Sequence, residues 1–150
     1  MVNEQQVRKI ALFFFFTFLE EKTAFEAAHK AVSILKAKKA HFTSEQSAAQ
    51  DVAVIAVMKR IFEQFKKSAP RGPASTEFDL MVDVPKGLDL AVWRRFHKLS
   101  PESETIAVVL SKILKYGDEA VAKGMNISLG TARYRIGKGI RTLGEIAKKA

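Results

Sequence analysis

The chain has 150 residues, of which 47% are hydrophobic and 27% charged, the balance of a folded globular protein and not of a disordered one. It contains no cysteine, which excludes a disulfide scaffold, a cysteine-based zinc site and a thiol nucleophile. Lys and Arg number 25 against 16 Asp and Glu, a net charge of +9. The surplus is uneven: residues 1–69 carry +4, residues 70–85 carry −2, and residues 86–150 carry +7. A local cationic excess of that kind points to a polyanionic partner, nucleic acid first, although basic charge also serves plain solubility.

Asn3 is placed to cap a first helix that runs to about residue 21, with Val7, Ile10, Ala11, Phe14 and Phe18 on one face. Within it, Ile10 to Leu19 forms an apolar run containing Phe13, Phe14, Phe15 and Phe16. Ten residues are too few to span a bilayer, which takes roughly 20. Arg8 and Lys9 before the run imitate a signal peptide, but Glu20, Glu21 and Lys22 follow it with no small-residue cleavage site. The run therefore predicts a helix buried on most of its circumference, or one with a face kept for a partner, in a cytoplasmic protein outside the membrane.

Thr23 is placed to cap a second helix to about residue 38, in which Ala27, Ala31, Ile34 and Leu35 recur at helical spacing. Thr43 and Gln46 have capping-box spacing, and a third helix then runs to about residue 67 with Val52, Ile55, Ala56, Met58, Phe62 and Phe65 as its apolar set. Three prolines, Pro70, Pro73 and Pro85, mark a break and a connector. Beyond it, residues 88–98 read as a helix holding Leu90, Val92, Trp93 and Phe96, with Trp93 as a core anchor. Ser100, Pro101, Glu102 and Glu104 form a helix-start signal, with Ser100 as cap and Pro101 in the first helical position. That helix carries Ile106, Val109, Leu110, Ile113 and Leu114 and ends near Tyr116 and Gly117.

The pattern predicts an all-α chain: an N-terminal three-helix bundle over residues 1–69, a linker over 70–85, and a C-terminal four-helix domain over 86–150. The C-terminal part holds the stretch with functional content. A short helix over residues 118–125 meets a turn at Asn126, a residue that tolerates the left-handed conformation. Ile127 plugs the turn into the core, Ser128 caps the next helix, and Ala122 is small where the two helices cross. This is the recipe of a helix-turn-helix, whose second helix lies in the major groove of DNA. Helical phase exposes Leu129, Gly130, Thr131, Arg133, Tyr134 and Lys138. Arg133 suits a guanine or a phosphate and Thr131 a thymine methyl or a phosphate, while Arg135, Lys138 and Arg141 suit phosphates. The DNA-binding set is thus Ser128, Gly130, Thr131, Arg133, Tyr134, Arg135, Lys138 and Arg141. Gly137 and Gly139 sit inside the same helix, either for close approach to DNA or to a packed helix, or as tolerated drift.

Leu99-Ser100-Pro101-Glu102, Glu119-Ala120-Val121-Ala122 and the run Ile127-Ser128-Leu129-Gly130-Thr131-Ala132-Arg133-Tyr134-Arg135 resemble the C-terminal helix-turn-helix domain of extracytoplasmic-function sigma factors. The resemblance covers about 45 residues; response-regulator output domains share a similar motif. It implies a transcription initiation factor whose last domain reads the −35 promoter element, with double-stranded DNA, core RNA polymerase and an anti-sigma factor as partners. The layout of helical domain, linker and helix-turn-helix is also similar to that family. The resemblance places Glu26, His29 and Lys30 on the polymerase-contacting helix, although His29 and Lys30 stand where the family has Gln and Glu. The third helix, ending Phe62-Glu63-Gln64-Phe65-Lys66-Lys67, matches the −10 reading helix by position and lacks the family's Trp and Arg-Asn pair.

Two other readings fit the same residues: a helix-turn-helix regulator whose N-terminal bundle dimerises or senses a ligand through the Phe run, and a helical adaptor whose basic face is incidental. His29, His41 and His97 lack the paired spacing of a metal site. No phosphate loop, nucleophile motif or carboxylate pair appears, so no enzyme activity, catalytic residue, metal or cofactor is expected.

Overall fold

Asn3 begins the first helix, α1 (Glu4–Phe18), through a reciprocal capping box. Its side chain accepts from the Gln6 amide at 2.8 Å, and the Gln6 side chain accepts from the Asn3 amide at 3.2 Å. This computed structural model describes residues 3–38, 47–67 and 89–149, and is helical throughout, without strands among them. Ile10, Leu12, Phe13, Phe14, Phe15, Phe16 and Thr17 of α1 are all buried, so the C-terminal half of the helix is enclosed on nearly all sides. The Thr17 hydroxyl is satisfied within α1, donating to the Phe13 carbonyl at 2.8 Å. Each buried phenylalanine contributes roughly 1.5–3 kcal/mol.

The helix stops three residues earlier than its pattern predicts. Leu19 turns left-handed (φ 52°), and Glu20, extended, becomes the cap of α2 (Glu21–Ala37). Thr23, expected as that cap, lies buried in the first turn instead. The Glu20 carboxylate reaches far enough to accept from both the Lys22 amide (3.0 Å) and the Thr23 amide (2.7 Å), which displaces the shorter hydroxyl from the role. Ala24, Ala27 and Ala31 form the buried edge of α2 and let it lie close on α1.

The third helix, α3 (Ser47–Phe65), buries Val54, Ile55, Val57, Met58, Ile61 and Phe62, while Ala56, expected among them, faces solvent. It ends two residues before the expected boundary, at a turn over residues 66–67. The Thr43–Gln46 capping box, the proline connector with the acidic stretch after it, residue 88 and His41 lie outside the described residues.

Asp89 caps α4 (Leu90–Leu99), accepting from the Ala91 amide at 2.9 Å. Trp93 and Phe96 are fully buried. The Trp93 indole donates to the Phe16 carbonyl at 3.0 Å, and His97 Nε2 lies 2.6 Å from the Thr17 carbonyl. Two carbonyls at the end of α1 are thereby satisfied by residues one turn apart on α4. Ser100, expected to cap α5 (Glu102–Val108), instead ends α4: its hydroxyl donates back to the Phe96 carbonyl at 2.8 Å, and Pro101 takes the cap position of α5. The backbone continues as a π turn over Val109–Ile113, which the apolar period did not announce, and Lys115 (φ 64°) ends it. A short helix, α6 (Asp118–Met125), and a long one, α7 (Leu129–Lys149), complete the chain.

One hydrophobic cluster runs through the helices on both sides of the connector. α3 packs on α6, and α5 on α7. Both contacts use a glycine. A Cβ at Gly124 would stand 2.5 Å from Ile55 Cβ, and one at Gly139 would collide with Val108 Cγ2, whereas Gly137 has open space around it. Close approach to a packed helix therefore accounts for Gly139.

Two predictions follow from this packing. Gly139→Ala lowers stability by about 1–3 kcal/mol through overpacking. Gly137→Ala raises it by roughly 0.5–1 kcal/mol, because it removes only backbone entropy from the unfolded chain. Urea unfolding monitored by circular dichroism reads both. At Glu20, burial alone would raise the carboxyl pKa, but hydrogen bonds from Thr23 and the Lys22 amide, with the Lys22 charge, outweigh it and hold the pKa below the ordinary 4.5. A group so depressed stabilises the fold in full above its unfolded value and loses that contribution as pH falls through the folded one. Glu20→Ala is expected to cost about 1 kcal/mol at neutral pH. The difference from the parent chain shrinks below about pH 4 in thermal melts.

Candidate nucleic-acid interface

The cationic C-terminal surface is built from the α6–α7 pair. Two residues, Ile127 and Ser128, separate the left-handed Asn126 (φ 58°, ψ 47°) from the first residue of α7. The Ile127 amide donates to the Ala122 carbonyl at 2.9 Å, and the half-buried Ile127 side chain packs against the core. Ser128 caps α7, accepting from the Thr131 amide at 3.0 Å. The expected turn chemistry at Asn126, Ile127 and Ser128 is present residue by residue.

The α7 helix then divides cleanly into two faces. Ala132, Ile136, Gly139 and Ile146 are buried, with Leu129, Ile140 and Leu143 packed beside them. Gly130, Arg133, Tyr134, Lys138 and Arg141 form an exposed stripe at spacings of three and four, in which Tyr134 is 61% exposed. Leu129, expected on that stripe, packs against the core instead, because it lies three and seven positions before the buried Ala132 and Ile136 and so shares their side of the helix. Thr131 and Arg135 flank the stripe half-buried. Part of the Thr131 hydroxyl is committed, since the Ser128 hydroxyl donates to it at 2.8 Å.

Two of the cations have acidic neighbours from other helices. Arg133 Nε donates to Asp118 Oδ2 on α6 at 3.4 Å. Lys138 Nζ lies 3.8 Å from Glu104 Oε2, a buried carboxylate on α5, and 5.9 Å from the Tyr134 ring centre. A third side chain comes from further away. Lys59 on α3 donates to the Met125 carbonyl at 2.8 Å, next to Asn126. That ammonium sits where the dipole of α6 is negative and where a carbonyl would otherwise lack a partner. Local spacing carries no signal for Asp118, Glu104 or Lys59 in these roles: their partners lie 15, 34 and 66 positions away, outside any helical spacing.

The three residues expected to contact polymerase are exposed on α2, which packs against α1 and α3. They do not join the α7 stripe. Lys30 turns toward α3, donating to Gln64 Oε1 at 2.9 Å and lying over the Phe65 ring. His29 faces a groove of about 440 Å³ between α1 and α2, lined also by Val7, Ala11, Phe25 and Val32. Glu26 stands exposed beside the groove. The Phe run, by contrast, offers no contact surface, since all four rings are interior.

No protein-family model, no curated protein and no solved structure matches this chain. Among the described residues no helix is long and apolar enough to cross a membrane.

Lys59→Met is expected to lower stability by about 1–2 kcal/mol, since a charge-assisted bond to a helix terminus is lost while the aliphatic stem is kept. Amide hydrogen exchange should speed up most at residues 125–128, next to the lost bond.

Proposed function

We propose that the protein is a sigma-like transcription initiation factor that binds promoter DNA through α7 and directs core RNA polymerase to it. The observation that carries this reading is the exposed stripe of Gly130, Arg133, Tyr134, Lys138 and Arg141, opposite a fully packed face and directly behind a left-handed Asn turn and a Ser cap. A helix presented in that way enters the major groove with its first turns at the base edges. Arg133 and Tyr134 then face bases, Thr131 and Ser128 the adjoining edge or phosphate, and Arg135, Lys138 and Arg141 the phosphates where the helix crosses the backbone. The residue resemblance to extracytoplasmic-function sigma factors supplies the polymerase half of the reading, with Glu26, His29 and Lys30 of α2 as the contact and an anti-sigma factor as the natural antagonist. The reading is of a cytoplasmic binding protein and not of an enzyme.

A second reading has its own observation. Phe25 is 63% exposed at the rim of the α1–α2 groove. That suits a helix-turn-helix regulator whose N-terminal helices bind a ligand or a second copy.

Co-purification with core polymerase and transcription from a promoter library separate the two readings. The first expects a stable polymerase complex and promoter-directed transcripts. A homodimer without polymerase affinity favours the second. Arg133→Ala should cost about 1–3 kcal/mol on a selected site and relax preference at one base pair, whereas Arg141→Ala should weaken all duplexes alike and reduce the salt dependence by about one ion. Failure to bind any duplex at low salt removes both DNA readings.

A further inference from the structure

We propose that Asp118 sets the base preference of Arg133, by holding its guanidinium so that the terminal edge is offered to a guanine. The proposal rests on the reading of α7 as the groove-binding helix. An arginine has five N–H donors in a planar fork. In this structure Nε, the donor nearest the chain, is spent on Asp118 Oδ2 at 3.4 Å. The two Nη atoms keep donors at the far end, the edge that matches guanine O6 and N7 in the major groove. An untethered Arg133 side chain would have many rotamers and would meet phosphate oxygens as readily as a base. Tethering reduces that choice before binding, so less ordering entropy is lost when the bidentate pair forms.

The charge arrangement supports this role. Asp118 is itself solvent-accessible, so as a lone acid beside a cationic stripe it would repel the DNA backbone. Beyond what an acid in the first turn of α6 contributes to the helix end, orienting a cation that reads sequence offsets that cost. Glu119 is a natural comparison: it stands in the same first turn of α6, is equally able to favour the helix N-terminus, and has no contact with Arg133 among the described residues. The Lys138–Glu104 contact does not have the same meaning, because an ammonium carries no fork and reads charge, not a planar edge.

The test is selection of sites from a random duplex pool by four versions of this 150-residue chain: the parent, Asp118→Asn, Glu119→Gln and Arg133→Ala. The parent should prefer guanine at one position by about tenfold or more. Asp118→Asn should lose most of that preference while binding unrelated duplexes more tightly. Glu119→Gln should gain the same non-specific affinity and keep the preference. Arg133→Ala should lose the preference altogether, and circular dichroism melts should show that all four chains are folded. If Asp118→Asn and Glu119→Gln keep the same preference, Asp118 serves only the helix end and the proposal falls, with DNA binding intact. If the parent binds no duplex, the DNA reading falls and takes this proposal with it.

Discussion

The enclosure of α1 is the constraint on which the rest of this structure depends. A helix that buries Phe13, Phe14, Phe15 and Phe16 together cannot sit on the outside of a three-helix bundle with one face in water. It must be covered from several directions, and α2, α3 and the π turn after α5 supply the cover. α4 closes the end, where Trp93 stacks edge-on against Phe16 at 5.5 Å and also donates to its carbonyl. The cover therefore comes from both sides of the proline connector. Tyr116 shows the same demand: its ring lies under Lys9 of α1 at 4.5 Å, and burial, with Asp51 of α3 nearby, raises its pKa well above the usual phenol range.

That demand reaches the candidate interface through short paths. α3 covers α1 with one face and supports α6 with another, through the Ile55–Gly124 contact and the Lys59 bond to Met125. The π turn presses against α1, and α5, which runs into it, supplies Val108 to Gly139 and Glu104 to Lys138. The orientation of α7 is thus set by helices whose positions are dictated by four phenylalanines far from its exposed stripe. A platform of this kind holds the exposed α7 side chains in place, which is what the proposed base reading requires.

Polar satisfaction follows the same economy. The two helix ends nearest the turns are served by long side chains from outside the expected motif, Glu20 at the start of α2 and Lys59 at the end of α6. In each case reach decided the outcome. A carboxylate two methylenes out spans two amides, and an ammonium four methylenes out crosses from one helix to another. The same length lets Arg133 meet Asp118 across the α6–α7 corner.

Residue pattern alone determined the all-helical class, the Asn3 cap, the bounds of α6, the left-handed Asn126 and the Ser128 cap, because these depend on neighbours within four or five positions. The polar and apolar faces of α7 were legible for the same reason; Leu129, expected among the exposed residues, shares the side of Ala132 and Ile136 by the same helical period. Other features were decided only when distant segments met: the carboxylates facing Arg133 and Lys138 and the Lys59 bond to Met125, whereas Thr23 and Ser100 lost their expected caps to neighbours three and four positions away, Glu20 and Phe96. The cross-helix contacts are the result of competition between a short-range preference and a longer-range partner. Local spacing encodes the preference, whereas the partner has an address only after the phenylalanine helix has gathered its neighbours around it.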